Sequence, residues 1–140
     1  MDYRKEYEKW LASPALSEDE RTELKALEGN DKEIKARFYG PLEFGTAGLR
    51  GTMYTGLHNM NRHVIRWATQ GFANVIRAEG EEAMKKGVAV CMDCRNHSAE
   101  FARETACVMA ANGIHVRLFE SLRPTPELSF AVREYGCQAG

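Results

Sequence analysis

The sequence predicts an α/β fold with a mostly parallel, mixed sheet, preceded by a helical arm. Three observations lead there. Gly87-Val88-Ala89-Val90-Cys91-Met92 is an unbroken apolar run, and continuous rather than alternating apolar character suits a strand covered on both faces. A helical pattern over residues 98–112 separates it from a second strand pattern, Ile114-His115-Val116-Arg117-Leu118-Phe119, and two strands joined through a helix read as a parallel βαβ crossover. Residues 3–39 carry three helical patterns and no strand pattern. The expected organisation is a helical arm over residues 1–40 and an α/β domain over 41–140.

Size and charge narrow the function classes. A chain of 140 residues with 44% hydrophobic side chains suits a single real core. A net charge of −1 supplies no global field toward nucleic acid or an acidic membrane, so any anion preference must be local. No apolar run approaches a membrane span, and Met1-Asp2-Tyr3-Arg4-Lys5-Glu6 lacks the apolar stretch of a secretion signal. The expected location is the cytoplasm. Cys91 and Cys94 form a C-x-x-C, but no second such pair completes a four-ligand zinc site; reduced, packing thiols are the expectation, and no metal ligands are assigned.

In the arm, Tyr3, Tyr7, Trp10 and Leu11 recur at helical spacing until Ser13-Pro14 ends the first helix. Ser17 and Glu20 match a capping box for the second, and Asn30 and Glu33 repeat that spacing for the third. The arm has little apparent apolar surface, is expected to pack against the α/β domain, and shows no chemistry. Next, Asn61 caps a helix whose expected inner face is Val64, Ile65, Ala68, Phe72, Val75 and Ile76, with Trp67 at the core or rim. Gly71 within it suggests close backbone packing. Ser98 is expected to cap the 98–112 helix rather than act as a nucleophile. Thr125 and Pro126 start a last helix, and residues 137–140 lead toward one more strand.

Between the arm and the first long helix lies Phe44-Gly45-Thr46-Ala47-Gly48-Leu49-Arg50-Gly51. Glycines allow positive φ and close approach of backbone to a ligand, successive N–H groups in such a turn can form an anion nest, and Arg50 offers a charged fork for phosphate oxygens. A tight turn with a surface arginine fits the same residues. Asp93 and Arg95 follow the first buried strand at its carboxyl end, where open α/β sheets bind ligands. Ligand contact, and a local turn with Arg95 paired to a carboxylate, fit them equally.

The octet resembles the N-terminal signature of the phosphoglucomutase/phosphomannomutase (α-D-phosphohexomutase) family. Arg37-Phe38-Tyr39, Arg66-Trp67-Ala68-Thr69-Gln70-Gly71, Asp93-Cys94-Arg95 and the run from Leu122 through Pro124, Pro126 and Phe130 to Arg133 follow in family order. Together they resemble the branch containing phosphoglucomutase-2-like enzymes, over nearly the whole chain. The resemblance implies a three-layer αβα domain and an isomerase that moves a phosphoryl group between the two ends of a hexose by way of a phosphoserine. It implies Mg²⁺ and a hexose 1,6-bisphosphate for the full-length enzyme, neither bound by this chain alone. Thr46 and Arg50 would lie beside the phosphoserine, and Gly45, Gly48, Arg50, Asp93 and Arg95 would contact phosphate or substrate.

Two departures stand out. His58-Asn59-Met60-Asn61 occupies the place of the family's Asn-Arg-Met-Asn, so Asn59 replaces an arginine. The Thr-Ala-Ser-His-Asn-Pro run that carries the phosphoserine is absent from these 140 residues, as are the loops of later domains. The expectation is a first domain, incomplete at its C-terminal end, inactive alone, whose partners are a hexose phosphate and the remaining mutase domains, with self-association through an unpaired sheet edge. The alternative is a stand-alone interaction module derived from such a domain. A nucleotide-binding domain fits less well, for lack of G-x-G-x-x-G after a strand.

Overall fold

The computed structural model describes residues 1–46 and 48–140. Two compact units emerge, Met1–Val64 and Ile65–Gly140.

In the first unit, α1 (Tyr3–Leu11) starts at Asp2, whose carboxylate accepts from the N–H groups of Arg4 and Lys5. The expected capping box opens α2 (Glu18–Lys25), with Ser17 N–H donating to Glu20 at 2.8 Å and Glu20 N–H to Ser17 Oγ at 3.3 Å. Asn30 caps α3 (Asp31–Phe38). Its box is only half made, because the Glu33 carboxylate accepts instead from Arg37 Nε at 2.9 Å.

The arm carries more apolar surface than its sequence suggested. Tyr7, Leu16, Leu24, Leu27, Ile34 and Phe38 form a core of their own, with Trp10 and Leu57 packed against it. Phe38 meets Tyr7 and Trp10 in T-shaped pairs at centroid distances of 5.6 and 5.7 Å. Burying each large apolar side chain contributes about 1.5–3 kcal/mol. The aromatic residues were visible in the sequence. That three separate helices point them at one centre was not.

After the arm come β1 (Phe44–Gly45) and β2 (Gly48–Leu49), an antiparallel pair in which Phe44 faces Leu49 and Gly45 faces Gly48. The helix α4 (Arg62–Ala78) starts as expected at Asn61, whose Oδ1 accepts from His63 and Val64 N–H at 3.1 and 3.0 Å.

In the second unit α5 (Glu81–Lys86), read from the sequence only as a charged segment, precedes β3 (Val88–Val90). β3 pairs in parallel with β4 (Val116–Leu118), Val88 opposite Val116, across the crossover helix α6 (Ser98–Ala111). Val88 also bridges Ala139 in parallel, so residues 137–140 do approach the sheet as expected. Val88 and Ala89 are each 1% exposed, as the unbroken apolar run requires. α6 packs on both strands and α7 (Thr125–Glu134) on β3. The core is Ala73, Ile76, Ala83, Val88, Met109 and Ile114. The fold is thus α/β, with small sheets.

Several local expectations change. Along α4 the buried positions in this unit are Thr69, Ala73 and Ile76, while Trp67, Phe72 and Val75 are exposed. The helix carries apolar residues on more than one side, and periodicity alone does not say which side is covered. An added Cβ at Gly71 meets nothing within 4 Å, so close packing does not explain that glycine. Ser98 is not the N-cap of α6. His97 precedes the helix in a left-handed conformation (φ 61°), and Ser98 Oγ accepts from Asp93 N–H at 3.0 Å. α7 starts one residue early, with Pro124 in the capping position.

Candidate functional site

A groove of about 420 Å³ opens in the first unit, and Arg50, Thr52, His58 and Asn59 line it together with Glu33 and Arg37 of α3. Its wall is built around Arg37, a buried cation. Arg37 pairs with Glu33 and Glu23, donates to the Thr55 carbonyl at 3.3 Å, and lies 4.4 Å over the Tyr54 ring. Glu23 in turn accepts from the Thr55 N–H and hydroxyl. A charge removed from water needs this degree of pairing. The result staples the 52–59 segment to α2 and α3. No chemistry was expected of the arm from its sequence. The i,i+4 spacing of Glu33 and Arg37 was the available signal, but it also describes an ordinary exposed pair.

Gly56 lets the segment lie this close. Its φ is 145°, and a Cβ there would come within 2.9 Å of Arg37 Cβ and 3.0 Å of its carbonyl oxygen. His58 N–H donates to that same carbonyl at 2.9 Å. The His58 ring Nδ1 lies 3.2 Å from the Gly40 oxygen and its Nε2 2.5 Å from Tyr39 Oη. A carbonyl can only accept, so Nδ1 is the donor in that contact.

Arg50 differs from Arg37 in every respect that matters for binding. It is exposed, it lines the groove, and among the described residues no carboxylate or carbonyl pairs with it. Thr46 stands exposed in the turn of the β1–β2 hairpin. Gly48 has a φ of 99°, the positive value anticipated for this stretch, and a Cβ on Gly45 would meet the Gly48 oxygen at 3.3 Å. None of these three is among the described residues lining the groove. Ala47, inside the octet, lies outside the described residues, so the backbone nest expected there has no description.

Asp93 and Arg95 belong to the second unit, after β3. Asp93 Oδ1 accepts from Arg95 N–H at 3.0 Å, and its Oδ2 lies 3.2 Å from Arg95 Nε. The Arg95 N–H bond is the main cause that holds the Asp93 carboxyl below its usual range. This is the self-contained turn that the sequence left as one of two alternatives.

Among the described residues no group of three or more His, Cys, Asp or Glu side chains could hold a metal ion. No helix among them is long and apolar enough to cross a membrane.

Comparison with known proteins gives this geometry its context. Residues 41–140 match the family model for phosphoglucomutase/phosphomannomutase, alpha/beta/alpha domain I. The chain is 33% identical to a phosphopentomutase of Mus musculus over 94% of its own length and 22% of that protein's. It is 37% identical to a phosphoglucomutase of Staphylococcus saprophyticus over 79% of its length and 19% of the relative's. A phosphomannomutase of Mycoplasma pneumoniae is 29% identical over 96% of this chain and 24% of its own. The chain thus spans about a fifth of the length of the curated relatives it matches. No solved structure matches it. On the family model and these relatives, the chain belongs to the phosphoglucomutase/phosphomannomutase family and carries its first α/β/α domain.

Proposed function

We propose that residues 41–140 are the first domain of a sugar-phosphate mutase, an intramolecular phosphotransferase acting through a phosphoserine and a bisphosphorylated sugar. In this reading Arg50 offsets charge on the transferred phosphoryl group, a step in which positioning and electrostatics do most of the work. The observation that carries it is the unspent guanidinium of Arg50 on a groove wall. Thr46 stands beside the reacting phosphoserine, and Gly45 and Gly48 shape the hairpin that presents it. Asp93 and Arg95 face substrate as a preformed turn.

Relatives named phosphopentomutase and phosphoglucomutase widen the substrate class to pentose as well as hexose phosphates. In this reading Mg²⁺ and the phosphoserine belong to other parts of the full-length enzyme. The absence of an Ala-Ser-His-Asn-Pro run among the 140 residues supports a chain that is catalytically incomplete by itself. Four free cysteines fit a reducing, cytoplasmic setting. Among the described residues β4 pairs only with β3, an open edge suited to self-association; a strictly monomeric sedimentation profile at high concentration counts against that.

Affinity of the chain alone is expected to be weak. Charge-assisted hydrogen bonds contribute about 1.5–3 kcal/mol each. Three or four total about 4.5–12 kcal/mol, a range that roughly 4–15 kcal/mol lost on association largely offsets. Dissociation constants for a hexose phosphate therefore fall at millimolar or weaker. A coupled assay with glucose 1-phosphate should show no turnover above the protein-free blank, and any turnover overturns the incomplete-site reading. Titration with glucose 6-phosphate at constant ionic strength should shift the Arg50 Nε–H resonance. A resonance that stays still overturns the assignment of the groove.

A further inference from the structure

Tyr54 is an exposed aromatic residue that the fold nonetheless holds in place. It is 51% exposed, yet the Arg37 guanidinium lies over one face of its ring, 4.4 Å from the centroid. Its backbone oxygen accepts from Asn61 Nδ2 at 3.0 Å. The next residue, Thr55, is tied through its N–H and hydroxyl to Glu23 and through its oxygen to Arg37. The ring gains little from burial in this arrangement, because half of the residue stays in water. What it gains is a fixed position, and a side chain ordered beforehand loses less entropy when a ligand arrives.

The same residue lines the groove that holds Arg50. Most other polar groups of that lining are committed. Glu33 is engaged by Arg37, the Thr52 hydroxyl donates to Asn59 Oδ1 at 3.0 Å, and both ring nitrogens of His58 have partners. Asn59 Nδ2 has no partner, but it is buried and out of a ligand's reach. Two groups in the lining are both exposed and uncommitted among the described residues, the Arg50 guanidinium and the Tyr54 hydroxyl. A guanidinium suits the phosphoryl end of a ligand. An aromatic face with a polar tip suits what that phosphoryl group is attached to, a sugar ring with apolar C–H faces and hydroxyls at its rim.

We propose that Tyr54 is the sugar-facing residue of this groove. Its open face packs on the sugar ring of a sugar phosphate and its hydroxyl bonds a sugar hydroxyl, while Arg50 holds the phosphoryl group. The inference rests on the sugar-phosphate reading above and adds to it a contact with the sugar itself.

The test uses the full 140-residue chain, titrated separately with inorganic phosphate and with glucose 6-phosphate at fixed pH and ionic strength. Magnetic resonance reads the Arg50 Nε–H and the Tyr54 ring protons. Both ligands should move the Arg50 peak, and glucose 6-phosphate alone should move the Tyr54 ring. Tyr54→Leu should weaken glucose 6-phosphate binding about fivefold, equivalent to about 1 kcal/mol, and leave phosphate binding unchanged. A Tyr54 ring that stays still under glucose 6-phosphate while Arg50 moves, or that responds equally to inorganic phosphate, overturns the role of Tyr54 and leaves the Arg50 assignment standing. So does a Tyr54→Leu variant that weakens both ligands alike, or neither. Silence at both residues overturns the groove assignment along with it. The wild-type spectra decide the matter even where the variant does not fold.

Discussion

Two exposed arginines, one in each unit, differ in whether their charge is already paired. Arg95 follows a buried strand at the sheet's carboxyl end, the better address by fold-level rules. Yet its backbone N–H and its guanidinium both turn to Asp93. Arg50 sits beyond a two-residue strand in a stretch with little regular structure, but it lines a groove and has no partner among the described residues. Fold-level address and unspent charge beside a concave surface thus single out different residues. Arg37 is the third member of the comparison. It touches the same groove, but its charge is consumed in holding the wall.

The comparison can be broken most directly at that wall. Arg37→Ala should destabilise the first unit by about 3 kcal/mol, since it strands a half-buried carboxylate; chemical denaturation gives the value. Next in size, Gly56→Ala should cost about 1–3 kcal/mol, because its backbone conformation disfavours a side chain and the added Cβ meets Arg37. Arg50→Ala should change stability by no more than about 0.5 kcal/mol, as for surface positions generally, while removing the phosphate response. A loss comparable to that of Arg37→Ala would mean that Arg50 is structural, and the contrast would fail.

The smallest effect is a pH dependence. Burial by itself would raise the Glu20 pKa, but the Ser17 N–H, His63 and Arg62 together hold it below its usual value. A carboxyl depressed in the folded state contributes stability above its unfolded pKa of about 4.3 and loses it as pH falls through the folded value. Wild type should therefore exceed Glu20→Gln in melting temperature at neutral pH, and the gap should close as pH drops below about 4. A gap that is constant down to acid would assign the difference to packing.

Much of the architecture was legible in the chain itself. Unbroken apolar character located β3, and the spacing of helix and strand predicted its parallel partner. Ser17 with Glu20, and Asn61 before α4, marked helix starts because capping is a local bond between near neighbours. The site was legible in part: Arg50 and the positive-φ Gly48 stood out by residue type. Asn59 drew notice only as a departure from a resembling family, and Arg37 only as part of a motif.

Residue chemistry and short-range spacing thus determined the fold class, several helix starts and the candidate cation. Tertiary structure alone decided which face of α4 is buried, that the arm has its own core, that Arg37 is spent while Arg50 has no partner among the described residues, and that the Asn59 amide is left with an unmade bond. The physical reason is range. Caps and strand patterns depend on residues a few positions apart, whereas the pairing of a charge or a buried amide depends on what the whole chain brings within about 3 Å of it.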